Sequence, residues 1–129
     1  MSKSAEVKTP VSTVFIADDG IIRVVVDTDG EETLENAKEV IAAIAKIGDG
    51  QLHSVLVDTR SMKSISGEAR RYYASDERPR VGSAVALLVG STVSMVIGNF
   101  WLTINKPSYP SHIFSSEESA LEWLKGYIQ

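Results

Sequence analysis

The chain has 129 residues, 43% of them hydrophobic, and no cysteine. That is about one domain with its own core, and it excludes disulfides, thiol catalysis and zinc–thiolate sites. The net charge of -4 at pH 7 runs against general nucleic-acid binding, which depends on neutralising phosphates.

Met1–Pro10 is polar, with Lys3, Glu6 and Lys8. It reads as a flexible N-terminal segment, not a signal peptide, with a single domain over residues 11–129; a cytoplasmic bacterial protein is the expectation. Thr13–Ile16 and Ile21–Val26 are β-branched runs around Asp18-Asp19-Gly20, an Asp-Gly hairpin signal. A polar loop follows over Asp27–Glu32. Leu34, Ala37, Val40, Ile41, Ile44 and Ile47 then recur at helical spacing, with Thr33 as N-cap and Gly48-Asp49-Gly50 as the stop. His53–Asp58 is a short strand apolar enough to be buried on both faces.

Ser66 suits an N-cap, with Glu68 in the first turn, Ala69–Ser75 continuing the helix and Pro79 ending the element. No charged residue occurs from Val81 to Asn105, a length sufficient for a membrane span. Gly90-Ser91 interrupts the run and its two halves differ in period, so a buried strand over Ala84–Val89 and a packed helix over Thr92–Ile104 are expected. Val93, Val96, Ile97, Phe100 and Ile104 make the helical face. Met95, Trp101 and Leu102 fall outside it and read, with Asn99, as a dimer or ligand surface. After Lys106–Pro110, His112–Phe114 is the last strand. Ser115 and Glu118 read as a capping box for a closing helix bearing Leu121, Trp123, Leu124 and Tyr127. The order β-β-α-β-α-β-α-β-α implies an α/β fold: a mostly parallel mixed sheet of about five strands, the first antiparallel, with about four helices.

Chemical constellations are sparse. His53 and His112 are the two histidines and lack ligand spacing, so no metal site is expected. Ser66, His112 and Asp58 would name a hydrolytic trio, but no G-x-S-x-G elbow marks the serine. No glycine-rich phosphate loop occurs and no cofactor is implied. Residues 60–80 hold six basic residues (Arg60, Lys63, Arg70, Arg71, Arg78, Arg80) against three acidic ones. Arginine suits bidentate anion contacts, though a solvated, ion-paired helix gives the same pattern. Asp58, at the end of a strand, is either a backbone-capping carboxylate or part of a site at the carboxyl ends of the strands. Ser64 and Ser66 are turn and cap hydroxyls, or the modified and anion-binding edge of a helix N-terminus.

The element order and the segment VDTRSMKSISGEARRYYAS resemble STAS domains, the fold of anti-sigma factor antagonists and of sulfate-transporter tails. IGNFWLTINKPSYPSHIF and SALEWL extend the resemblance to a group of small, uncharacterised bacterial STAS-like, or CRAL-TRIO-like, proteins. In the antagonists the phosphorylated serine precedes a glycine at the start of the helix after the third strand, a place that Ser66-Gly67 matches. Ser64-Ile65-Ser66-Gly67 lacks the acidic residue of that motif. The resemblance implies a non-enzymatic interaction module, with Ser66 the phosphorylation candidate and Asp58, Arg60, Ser64, Ser66, Gly67, Arg70 and Arg71 the partner or anion-binding set. Its alternative is a small-ligand or lipid-binding domain, Val93–Ile104 and Trp101 lining the pocket and the arginines holding an anionic head group.

Overall fold

A computed structural model describes residues 6–76 and 78–127. The hairpin forms as the Asp-Gly signal predicts: β2 (Ser12–Ile16) and β3 (Ile22–Val26) pair antiparallel around Gly20, whose φ is 80°. A strand not expected from the sequence precedes it. β1 (Glu6–Lys8) pairs antiparallel with β2, so the domain starts inside the segment read as flexible; residues 1–5 of that segment lie outside the described residues. Backbone pairing, which needs no apolar pattern, holds this polar edge.

β5 (His53–Asp58), β7 (Gly82–Leu88) and β8 (Ser111–Phe114) extend the sheet in parallel, completing six strands in the order β1-β2-β3-β5-β7-β8. A second, two-stranded parallel sheet joins β4 (Glu31–Glu32) to β6 (Ser64–Ile65), within two stretches read as loop. It ties the segment entering α1 (Leu34–Ile47) to the segment entering α2 (Gly67–Ala74). Ser66 N–H also donates to the Glu32 carbonyl.

Side chains alternate across the central strands. Val55 shares one core with α1, where Val24, Val40, Ile41 and Ile44 are buried. Leu56, Ala84, Ala86 and Leu88 face the other side and pack on Ala120 and Leu124 of α4 (Glu117–Lys125). Ser54 Oγ donates to the Leu124 carbonyl at 3.2 Å and ties α4 to the sheet from a buried position. Thr33 and Ser66 cap α1 and α2 as their residue types predict. The α4 cap is displaced by one residue from the expected capping box: Ser116, not Ser115, accepts from the Ser119 N–H.

The largest departure is at α3 (Thr92–Phe100), which runs on into a π-helical turn over Trp101–Asn105. Ser94, Gly98 and Trp101 face inward, whereas Val93, Val96, Phe100 and Ile104 are exposed. The inward face is the one with small residues. A Cβ on Gly98 would stand 3.2 Å from Ile113 Cδ1 and 3.6 Å from Val89 Cγ1, so the helix lies too close to the sheet for larger side chains there. None of the helices over the described residues is long and apolar enough to cross a membrane.

Candidate functional site

β6 delivers the chain to α2 with Ser64, Ser66 and Gly67 in a row, all half-buried. Ser66 Oγ accepts from the Ala69 N–H at 3.1 Å, an ordinary N-cap, and Ser64 Oγ donates to Glu31 at 3.4 Å. Arg70 and Arg71 fold back over this helix start. A Cβ added at Gly67 would stand 3.2 Å from an Arg71 guanidinium nitrogen and 3.3 Å from one of Arg70. The Arg70 guanidinium also lies 4.4 Å above the Phe100 ring centroid, a cation–π contact that links α2 to α3. Among the described residues, Lys63, Arg70 and Arg71 have no carboxylate partner within ion-pair distance.

Asp58 and Arg60 do not join this set as an open anion site. Asp58 Oδ1 accepts from the backbone N–H and Nε–H of Arg60, and Oδ2 from Nη2–H at 2.7 Å. Burial raises the Asp58 pKa, but the Arg60 bonds outweigh it and hold the carboxyl below its ordinary range. Arg60 also approaches Glu117 at 3.8 Å. Asp58 therefore fixes the turn after β5, and the Arg60 charge is largely neutralised. The hydrolytic trio is not assembled: Ser66 caps α2, Asp58 holds Arg60, and the His112 ring stacks on Phe114 and Trp123. The His53 ring lies between the Gly48 and Gly20 carbonyls, its Nε2 3.1 Å from the first. No group of three or more potential metal-ligating side chains occurs among the described residues.

Trp101 does not reach an outer surface of the kind a dimer would use; it faces inward and lines an internal cavity. It is 6% exposed, packs with Leu87 and Tyr109, and donates its indole N–H to the Arg70 carbonyl at 3.1 Å. Leu102 is half-buried beside it, while Met95 and Asn99 remain exposed. The outward surface instead belongs to the face read as core. Val93, Val96 and Phe100 line a groove with Lys63, Ser64 and Arg70, directly beside Ser66. The i, i+3, i+7 spacing of 93, 96 and 100 was legible; which side it faced was not.

A second feature was not anticipated. Glu32, 2% exposed, lies in the wall of a cavity of about 90 Å³ between the sheet, α1, α2 and α3. Its Oε2 accepts a short hydrogen bond from the Tyr73 hydroxyl. Burial raises the Glu32 pKa, partly offset by the Tyr73 bond, and burial next to Glu32 raises that of Tyr73 well above its ordinary value. Burial also raises the pKa of Tyr109, whose hydroxyl donates to the Tyr73 carbonyl. In the sequence, Glu32 was one of two glutamates in a polar loop, with no apolar neighbour to signal burial.

Comparison with curated proteins returns no match. Among solved structures, the chain is similar to an uncharacterized protein of the DUF3478 family with a SpoIIAA-like fold from Shewanella loihica PV-4. Identity is 14%, the match covers 96% of this chain and 98% of that one, and the TM-score is 0.57. A protein of unknown function from Arthrobacter sp. FB24 is 29% identical over 86% of this chain and 96% of its own, with a TM-score of 0.32. The SpoIIAA-like neighbour agrees with the STAS-like order of elements, and the fold is STAS-like. Residues 15–128 match the family described as "Domain of unknown function (DUF7793)", and the chain belongs to that family.

Proposed function

We propose that the protein is a non-enzymatic interaction module whose docking surface is the outward face of α3 together with the start of α2. The observation that carries this reading is the exposure of Val93 (46%), Val96 (61%), Phe100 (44%) and Ile104 (62%) along one helix and its terminal turn. Solvated large apolar side chains grouped in this way, bordered by charge, are a common feature of protein interfaces. The border is cationic, with Lys63 and Arg70 in the groove wall, so the partner that fits is a protein segment with an apolar stripe and an acidic rim. Such complementarity steers association and fixes register.

Ser66 lies beside this surface, and its modification is the switch. A phosphate would add about -1.5 to -2 charge at a helix N-terminus with Arg70 and Arg71 folded over it. That position suits an anion, while the added charge repels an acidic partner. The test is affinity capture from the source cells with wild type, the double variant Val96→Glu/Phe100→Glu, and Ser66→Asp, each shown to be folded by circular dichroism. A protein retained by wild type and lost by both variants is the expected result. Equal recovery by all three refutes the surface and the switch together. Light scattering that shows a wild-type dimer, broken by the α3 variant, would make the occupant a second copy of this chain.

A further inference from the structure

We infer that the cavity around Glu32 and Tyr73 is a binding site for a small uncharged molecule with an apolar body and one hydroxyl or carbonyl group. The cavity is walled mainly by aliphatic side chains from both layers, among them Val24, Ile41, Val57 and Leu87. Its volume of about 90 Å³ corresponds to at least about six water-sized positions. Apolar walls hold water poorly, and the favourable filling is an apolar one.

The polar groups in the wall decide what that filling carries. Thr59 Oγ1 donates to the Leu88 carbonyl, Ser12 Oγ is bonded to Thr9 Oγ1, and Ser94 Oγ donates to the Ser91 carbonyl. Each is therefore already engaged with a neighbouring loop or strand end. Glu32 differs. Tyr73 engages Oε2, and among the described residues no second donor reaches the carboxyl. A buried carboxyl with an open hydrogen-bonding position is costly unless a further partner fills it. As a neutral acid it donates to a carbonyl or hydroxyl oxygen, and as a carboxylate it accepts from a hydroxyl.

Charged ligands fit less well. Arg70 and Arg78 reach the wall, but the Arg78 guanidinium bonds the Tyr73 and Pro79 carbonyls and that of Arg70 stacks on Phe100. An anion would meet the Glu32 carboxyl, and a cation would enter between two guanidinium groups.

The probes are phenol and benzene, which differ by the one hydroxyl. The readout is the methyl NMR spectrum of the full chain, observed at Val24, Ile41, Val57 and Leu87. Saturable phenol shifts at these methyls are expected in wild type. In Glu32→Leu the ratio of phenol to benzene affinity should fall at least tenfold, with benzene still bound. A cavity-filling variant, Val57→Phe, should lose both. The inference is overturned by shifts that never saturate, by shifts confined to Val93 and Val96 on the α3 surface, or by an unchanged affinity ratio in Glu32→Leu. Should Glu32→Leu not fold, the wild-type titration and Val57→Phe decide the matter between them. The α3 docking surface can fail without touching this result, since its residues are read separately.

Discussion

The inward and outward faces of α3 make opposite predictions for two substitutions close together in the sequence. Trp101 is 6% exposed against Leu87 and Tyr109, and its indole N–H satisfies the Arg70 carbonyl. Trp101→Ala removes that packing and leaves a cavity, a loss of about 3–5 kcal/mol for a buried tryptophan. The lost indole hydrogen bond to Arg70 falls within this range. Val96 is 61% exposed, so Val96→Glu exchanges one solvated side chain for another and should fall within about 0.5 kcal/mol of wild type. The helical pattern taken from the sequence predicts the reverse order, with Val96 in the core and Trp101 outside. Urea denaturation followed by far-ultraviolet circular dichroism measures both variants without depending on the lost fluorophore. A domain of this size has a total stability of about 5–15 kcal/mol, so Trp101→Ala should shift the midpoint severely. A loss above about 2 kcal/mol for Val96→Glu, or below about 1 kcal/mol for Trp101→Ala, would refute the assigned orientation of α3.

Other substitutions test single contacts. Ser66→Ala removes the α2 cap bond to the Ala69 N–H and should cost about 1 kcal/mol in the same assay. Ser54→Ala removes the side-chain donor to the Leu124 carbonyl, which keeps its bond from the Tyr127 N–H, and should cost about 0.5–1.5 kcal/mol. Stability should depend on Glu32 through pH. Its pKa is raised above 4.5 in the folded state, so the native protein holds the proton longer and stability falls as pH rises from 4.5 through the folded value. The neighbouring charges on the cavity wall are Arg70 and Arg78, with Tyr73 neutral across this range. Glu32→Gln should flatten that branch of the melting-temperature profile; a profile identical to wild type would contradict it. Asp19 acts oppositely. The Arg23 bond lowers its pKa below 3.8, so its contribution is present above 3.8 and lost as pH falls through the folded value.

Much of the scaffold is local information. The β-branched hairpin around Gly20, the apolar spacing of α1 and the cap residues Thr33 and Ser66 each act through neighbours a few residues away, so the sequence alone determined them. The buried strands β5 and β7 were legible for the same reason: continuous apolar runs bounded by turn residues have few other places to go. The choice between adjacent serines at the α4 cap was not legible, because Ser115 and Ser116 are equally good cap residues.

The candidate sites depend on distant pairings. Glu31–Glu32 and Ser64–Ile65 are polar or mixed dipeptides with no periodicity, and only their pairing across 33 positions buries Glu32 and sets the start of α2. The α3 segment is apolar on several sides, so its pattern marks a helix and leaves its rotation open. Tertiary packing decided that rotation: close approach to Ile113 requires Gly98 inward, which turns Trp101 to the core and leaves Val93, Val96 and Phe100 in solvent. Period and cap residues therefore determined which elements exist. The distance between α3 and the sheet, a property of the assembled layers, decided which of its faces is left for function.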